Sequence, residues 1–344
     1  MRRHNSSLPL VSVILPVFNA GRFVAEAVQS IIAQTFTDFE VVVVDDGSSD
    51  CSPEILRRLA EKDGRIRVIN RPNTGIVGAL NDAITLAKGE LLARMDADDI
   101  ALPDRFARQV AYLDNHPDCA AVGGAVVVID GDGDEICRRE VATDHETIDR
   151  ELIESRGGRI CHPTVMMRTD VVRRVGCYRQ EYLWAEDIDL FLRLAEVGRL
   201  ANLAEPCLKY RWHPESVCHT RWHDVIVPRQ QRAIAEACVR RGIPAPSHAI
   251  PAAGQALPSA PADTAFTKAV EWSFTALGAG NARTARKHAR FALHSRPLSK
   301  LSWIAMWNAY LGPRSLSMLR SVIRPIRRGR MRHGSQCSGA AARQ

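Results

Sequence analysis

Apolar positions along the chain change their period several times, and each change predicts an element. Val11-Ser12-Val13-Ile14-Leu15-Pro16-Val17-Phe18-Asn19 is a β-branched run stopped by proline and asparagine, after which Phe23, Ala27 and Ile31 recur at helical spacing within residues 22–33. Phe39-Glu40-Val41-Val42-Val43-Val44 is nearly continuous valine, as expected of a parallel strand buried on both faces, and it ends in Asp45-Asp46-Gly47-Ser48-Ser49-Asp50. A third unit joins a strand over 66–69 to a helix over 78–87, and a fourth strand covers 91–95. Strands alternating with helices predict a Rossmann-like α/β fold, a mostly parallel sheet flanked by helices. Ligands on such sheets sit at the carboxyl ends of the strands. Asn19, Asp45 and Asp46, Arg71, and Asp96 with Asp98 fall at four of these ends.

The later pattern is less regular. Ala121-Val122-Gly123-Gly124-Ala125-Val126-Val127-Val128-Ile129 reads as a strand running into Asp130-Gly131-Asp132-Gly133, a hairpin turn that lacks the spacing and terminal glutamate of an EF-hand. Gly157-Gly158 precede a predicted strand over 160–167. Glu186-Asp187-Ile188-Asp189 open a helix whose inner face carries Leu190, Phe191 and Leu194. Residues 244–261 are rich in Pro, Ala and Ser and predict a linker. Beyond it, 265–277 and 282–294 form a pair of amphipathic helices resembling one TPR-like hairpin, and a further apolar helix spans 301–311. The expected organisation is a tail over 1–9, a large α/β domain over 10–243, a linker over 244–263, a helical appendage over 264–326 and a basic tail over 327–344.

With 344 residues, 46% hydrophobic and 25% charged, the chain has material for one large α/β domain and a smaller addition. Its net charge of +7 favours anionic partners without choosing among them. Nine scattered cysteines with no C-x-x-C pair predict reduced thiols in a cytoplasmic setting rather than a disulfide framework or a zinc site. No stretch approaches 18 apolar residues, so a soluble or peripherally attached protein is expected. Trp303 and Trp307, followed by Arg314, Arg320, Arg324, Arg327, Arg328, Arg330 and Arg332, suit an anionic membrane surface or a solvated basic tail. No nucleic-acid recognition module is present in the sequence.

The candidate chemistry is carboxylate chemistry. Asp96, Asp98 and Asp99 are three acids in four positions, and residues i and i+2 of an extended strand end face one side. Asp96 and Asp98 can therefore share a hard divalent cation, Mg²⁺ or Mn²⁺, with positions left for water and phosphate. Asp98 and Asp99 can equally cap a helix starting near Leu102-Pro103. Asp45-Asp46-Gly47-Ser48 makes a turn, and its second carboxylate can accept from a base N–H or a ribose hydroxyl. Gly75 permits close backbone approach to a ligand. His162 is a candidate for a substrate pocket or a polar residue at a strand edge, and Trp184 for a sugar-stacking ring or a core residue. The field of a helix N-terminus is expected to lower the pKa of Asp187. His213 is a candidate metal or phosphate ligand or a surface histidine.

Assembled in order, Pro16-Val17-Phe18-Asn19, Val44-Asp45-Asp46-Gly47-Ser48, Asn73-Thr74-Gly75 with Asn81, Asp96-Ala97-Asp98, His162-Pro163-Thr164, Glu186-Asp187 and Tyr210-Arg211-Trp212-His213 resemble a family 2 glycosyltransferase of the GT-A fold over about residues 10–245. The resemblance implies that Pro16, Val17, Asn19, Asp45 and Asp46 hold the base and ribose of a nucleotide sugar, a UDP-sugar first, with Arg71, Asn73, Gly75 and Asn81 nearby. Asp98, helped by Asp96 and from the C-terminal side by His213, would carry Mn²⁺ or Mg²⁺ on the diphosphate. Asp187, with Glu186 beside it, would be the general base for an acceptor hydroxyl, in an inverting transfer to a glycan or lipid-linked acceptor of cell-surface polysaccharide or lipopolysaccharide assembly. His162 and Trp184 would border the acceptor. Processive synthases of this family carry Q-x-x-R-W, whereas Leu208 stands where that glutamine would precede Arg211-Trp212, so transfer of a single sugar is expected. The glycine-rich stretch before Glu186 is also thin, with Gly157, Gly158 and Gly176 only. Competing classes are a nucleotidyltransferase, which would want a G-x-G-T-R-like loop after the first strand, and a non-catalytic nucleotide-sugar-binding scaffold, against which the intact acids speak.

Overall fold

The computed structural model describes residues 8–154, 160–213, 226–247 and 264–312. Gly157 and Gly158, most of the expected linker, and the arginines from Arg314 onward lie outside these residues. The chain forms two compact units: Met1–Val126, Val141–Tyr210 and Val225–Gln255 make the first, and Val127–Glu140, Arg211–Asp224 and Ala256–Gln344 make the second.

The sheet runs β3 (Ile66–Asn70), β2 (Phe39–Asp45), β1 (Val11–Val17), β4 (Leu91–Arg94), β8 (Met166–Arg168), β6 (Cys119–Ile129), β9 (Arg199–Arg211) and β5 (Ile100–Ala101). Its first four strands are parallel neighbours. The pairings of β8 with β4 and β6, and of β5 with β9, are antiparallel. The sheet is therefore mixed, with the parallel half at the N-terminal end of the chain. Val41 to Val44 are all fully buried, which is why β2 has no polar alternation. Each such side chain contributes about 1.5–3 kcal/mol relative to exposure. Pro16 is tolerated inside β1 for a geometric reason. Ile14 turns its carbonyl to Met95 at 3.2 Å, so Pro16, two residues on, presents the same edge after β4 has ended at Arg94.

Helices Val24–Ile32, Ser52–Lys62 and Ile76–Leu86 connect the parallel strands. The expected strand over 160–167 is instead a single 3₁₀ turn, His162–Thr164, followed by the short β8. Pro163 fixes the turn, and the Thr164 hydroxyl donates to the Cys161 carbonyl at 2.7 Å. Helix Glu186–Ala195 buries Leu190, Phe191 and Leu194 as its pattern predicts, and helix Val227–Arg241 adds Ala233, Ile234 and Ala237 to the same core.

The second unit contains the end of β6, the turn through Asp130–Asp134, β7 (Glu135–Arg139), Trp212 and three helices, Thr264–Gly278, Ala282–Ser295 and Lys300–Leu311. Trp212 stacks on Trp272 with centroids 6.2 Å apart, and Trp272 meets His288 edge-on at 5.2 Å. The His288 ring lies 2.9 Å from Asp130, and Lys287 reaches Asp130, Asp132 and Asp134 at 2.7, 2.8 and 2.7 Å. Asp130 therefore stays ionised. Burial pushes its pKa up, but the bonds from His288 and Lys287 outweigh burial and hold it well below the carboxylate range.

Candidate active site

Two groups of loops build the site, both in the first unit. The first lies at the ends of β1, β2 and β3. Asn19 has left-handed backbone (φ 49°), which asparagine tolerates. Its side chain accepts from the Ser49 N–H at 2.8 Å, while its own N–H donates to the Ser48 hydroxyl at 2.9 Å. Asp45 accepts from the Ser48 N–H at 3.2 Å. Asp46 is anchored by its N–H to the Val17 carbonyl at 2.8 Å, and its two carboxylate oxygens accept from the N–H groups of Thr74 (3.0 Å) and Gly75 (2.8 Å). Arg71 lies 3.2 Å from the same carboxylate and pairs also with Asp82. The second carboxylate of the Asp-Asp pair thus ties the 71–75 loop to β2. Gly47 has φ 78°, and a Cβ there would lie 2.9 Å from the Asn73 nitrogen, so this turn needs glycine twice over.

Asn81 is engaged with backbone. Its amide donates to the Tyr178 carbonyl at 2.9 Å and accepts from the Tyr178 N–H at 3.0 Å, which fixes Tyr178 from 97 residues away.

The second group gathers around Asp96. β4 ends at Arg94, and the chain then turns so that ligand oxygens of Asp96, Asp98 and Asp99 lie within 4.8 Å of one another. A turn, not strand alternation, brings Asp96 and Asp98 together. Alternation instead pairs Asp96 with Arg94, whose guanidinium donates to it. The helical-cap reading of Asp98 and Asp99 does not hold. Strand β5 intervenes, and the next helix starts at Arg105 with Asp104 at its N-cap. Asp99, buried to 1% exposure, joins the acidic group although the resemblance implied only Asp96 and Asp98. His213 belongs to the second unit, and the acidic group found among the described residues does not include it.

Electrostatics link this turn to the start of helix Glu186–Ala195. The Asp96 carboxyl is pushed up by burial and by the charges of Asp98 and Asp187, against the pull of Arg94. Glu186 is raised from 4.5 to about 7, mainly by burial and then by Asp187, and its Oε2 is buried without a hydrogen-bond partner. Asp187 also accepts from the Ile188 N–H at 2.8 Å. Tyr178 feels both acidic places: burial pushes its hydroxyl up, and Arg94, Glu186, Asp187 and Asp96 all act on it. That hydroxyl shares a 2.7 Å hydrogen bond with His162 Nε2, and the imidazole packs edge-on against Phe191. Burial, reinforced by Arg94, holds the His162 pKa well below 6.5, so the ring is neutral near pH 7.

Trp184 is half-buried with φ 75°, a conformation costing a bulky residue about 1–3 kcal/mol. The preceding carbonyl, Leu183, accepts from Arg229. A Cβ on Gly75 would sit 3.8 Å from Leu183, so the 71–75 loop and the segment leading into Glu186 meet there.

An all-carboxylate donor set in which one acid is raised by burial and then by like charges beside it fits a hard divalent cation, whose charge offsets both. Reading the residues as a sequence missed Arg94 and Tyr178, and counted Asp99 among the clustered acids with only a helix cap as its role. Arg94 carried a usable signal, its i, i+2 spacing to Asp96.

Comparison with known proteins agrees with this geometry. The model of Glycosyl transferase family 2 matches residues 12–176. An O-antigen biosynthesis glycosyltransferase of Escherichia coli, WbnJ, is 33% identical over 215 residues, which cover 61% of this chain and 82% of WbnJ. Among solved structures, S. aureus TarS 1-349 in complex with UDP-GlcNAc aligns with a TM-score of 0.51 at 19% identity, over 92% of this chain and 85% of that one. The mannosyltransferase PcManGT from Pyrobaculum calidifontis, in complex with GDP-Man and Mn2+, aligns with a TM-score of 0.50 at 17% identity, over 95% and 89%. The fold is that of GT-A nucleotide-sugar enzymes. The chain belongs to glycosyl transferase family 2 and is a glycosyltransferase. The nucleotidyltransferase and scaffold readings give way to it.

Proposed function

We propose that the protein transfers a single sugar, with inversion, from a nucleoside-diphosphate sugar to a hydroxyl of a glycan or lipid-linked acceptor in cell-surface polysaccharide or lipopolysaccharide assembly. The observation that carries this reading is the acidic turn after β4, where ligand oxygens of Asp96, Asp98 and Asp99 lie within 4.8 Å of one another, close enough to the start of helix Glu186–Ala195 for the charge of Asp187 to bear on Asp96. A base and a phosphate-facing acidic turn are needed within one donor's length. UDP is the first choice of nucleotide, because TarS is bound to UDP-GlcNAc. O-antigen assembly by WbnJ supports the polysaccharide context.

In the proposed reaction the acceptor oxygen attacks the anomeric carbon, the bond from that carbon to the diphosphate oxygen breaks, and its electron pair leaves with the diphosphate. The acceptor proton passes to the Asp187 carboxylate, a transfer commonly worth ~10²–10⁴ in rate. Glu186, raised to about 7, remains partly protonated beside it and limits the negative charge at the helix start. Pro16, Val17, Asn19 and Asp45 line the place proposed for base and ribose, and Asp46 shapes it by holding Asn73 to Gly75 in position. Asp96, Asp98 and Asp99 would hold Mn²⁺ or Mg²⁺, which supplies positive charge opposite the departing diphosphate. Trp184 and the neutral His162 are proposed at the acceptor side. Action at the cytoplasmic face of a membrane completes the reading.

Thermal-shift titration with UDP-, GDP- and dTDP-sugars, each with and without Mn²⁺, tests it. A true donor raises the midpoint by mass action, and chelator removes the shift. Absence of any nucleotide-sugar shift with Mn²⁺ present would overturn the donor assignment.

A further inference from the structure

The last described helix is built inside out. Ser302, Ala305, Asn308 and Ala309 face inward with at most 1% exposure, whereas Trp303, Trp307, Tyr310 and Leu311 are 51, 65, 49 and 65% exposed. A helix resting on its neighbours in water has the opposite arrangement. Positions 303, 307 and 310 follow i, i+4, i+7 spacing, so the three aromatic rings share one stripe. The inward face explains itself. Small residues let helix Lys300–Leu311 approach helix Ala282–Ser295 closely, with the Ser302 hydroxyl donating to the Ala292 carbonyl at 3.1 Å and Arg286 donating to the Ala309 carbonyl at 3.2 Å. Packing within the unit therefore leaves about half or more of each aromatic residue of the stripe exposed, apart from the Trp303 Nε1 bond to the Pro297 carbonyl at 2.8 Å and the arginines beside Tyr310, although burying each ring would contribute about 1.5–3 kcal/mol.

Charge says what covers it. Arg290 donates to the Tyr310 hydroxyl at 3.1 Å through Nε, and the Arg286 guanidinium lies 5.1 Å from the centre of that ring, so two cations border the stripe. The seventy-three residues after Glu271 contain fourteen Lys and Arg and no Asp or Glu. The net +7 of the chain is thus the balance of +14 there and −7 before it. Two such segments facing each other would repel, which disfavours a second copy as the occupant. A positive excess sustained over so many residues matches an extended anionic surface rather than a local acidic patch. Trp and Tyr beside Arg are the residues that settle at lipid headgroups. Among the described residues no helix is long and apolar enough to cross a membrane.

We propose that this face docks the protein on an anionic lipid bilayer, with Trp303, Trp307 and Tyr310 entering the headgroup region and Arg286 and Arg290 meeting lipid phosphates. The docking is independent of the sugar chemistry. It is tested by floating the full chain with vesicles of phosphatidylcholine alone or mixed with phosphatidylglycerol, using wild type and the double variant Trp303→Ser/Trp307→Ser. Wild type should float with the mixed vesicles and stay behind with the neutral ones, and its tryptophan emission should shift to the blue. The double variant should partition at least about tenfold less and lose the emission shift. The single variant Trp307→Ser, whose ring is 65% exposed, should keep the wild-type thermal midpoint and still lose partition, whereas Trp303→Ser also gives up the Nε1 bond to the Pro297 carbonyl. Equal partition of wild type and variant, or no preference for the anionic vesicles, overturns the proposal. So does a concentration-dependent dimer that the same substitutions abolish, which would assign the face to a second copy.

Discussion

Two acidic turns of similar composition do opposite things in this protein. In Asp130-Gly131-Asp132-Gly133-Asp134 the ammonium of Lys287 sits among three carboxylates at 2.7–2.8 Å, His288 adds a contact at 2.9 Å, and Asp130 is held well below its ordinary pKa in spite of burial. In Asp96-Ala97-Asp98-Asp99 the Arg94 guanidinium reaches Asp96, yet burial and the charges of Asp98 and Asp187 still push that carboxyl up. The sign of the shift separates the two. An acidic turn whose cation comes from the chain is part of the fold, and on the proposed reading the Asp96 turn takes its cation from solution.

The comparison breaks most visibly if the Asp96 turn can be altered without loss. Asp98→Asn should lower donor kcat/KM by about 10³-fold or more, the scale of several kcal/mol of lost charge stabilisation. Full activity in a purified variant would remove the cation role. Asp187→Asn should cost ~10²–10⁴ in kcat, with the thermal shift by donor and Mn²⁺ retained. The other turn should answer in stability alone: Asp130→Asn takes one of three acids from Lys287 and the acid that faces His288, and should cost about 1–3 kcal/mol in urea unfolding while leaving Mn²⁺ affinity unchanged.

Glu186 sharpens the contrast through pH. The unfolded chain releases this proton near 4.5, while the folded protein keeps it to about 7, so stability falls across that window and levels off above it. The drop is roughly 3 kcal/mol. Glu186→Gln should therefore unfold at the same urea concentration as wild type below pH 4.5 and at a higher one at pH 8. A variant no more stable than wild type at pH 8 would contradict the burial argument. The smallest effect is expected at Asn81. Removing its two bonds to the Tyr178 backbone by Asn81→Ala should cost about 1–3 kcal/mol and leave the nucleotide affinity near wild type, because those bonds serve Tyr178 rather than the ligand.

The parallel half of the sheet was legible because its valine runs and the acids ending them are local patterns. The same holds for helix Glu186–Ala195, where Leu190, Phe191 and Leu194 mark the buried side within one element. What the sequence concealed depends on partners far along the chain. The bonds of Asn81 to the Tyr178 backbone and of Asp46 to the N–H groups of Thr74 and Gly75 join residues far apart in the chain, and no local pattern announces them. The predicted strand at His162 failed because Pro163 favours a turn that the Thr164 hydroxyl then closes. Asp99 was masked by its neighbours' resemblance to a helix cap, a reading that only β5 and the later start of helix Arg105–Asn115 remove.

Direct titration of Mn²⁺, followed by its electron paramagnetic resonance signal, puts the contrast between the two turns to the sharpest test. Wild type and Asp130→Asn should each bind one tight ion per chain in the presence of a nucleoside diphosphate, and Asp98→Asn should lose it. Retention of that ion by Asp98→Asn, or its loss from Asp130→Asn in a folded protein, would contradict the assignment of the cation to the Asp96 turn.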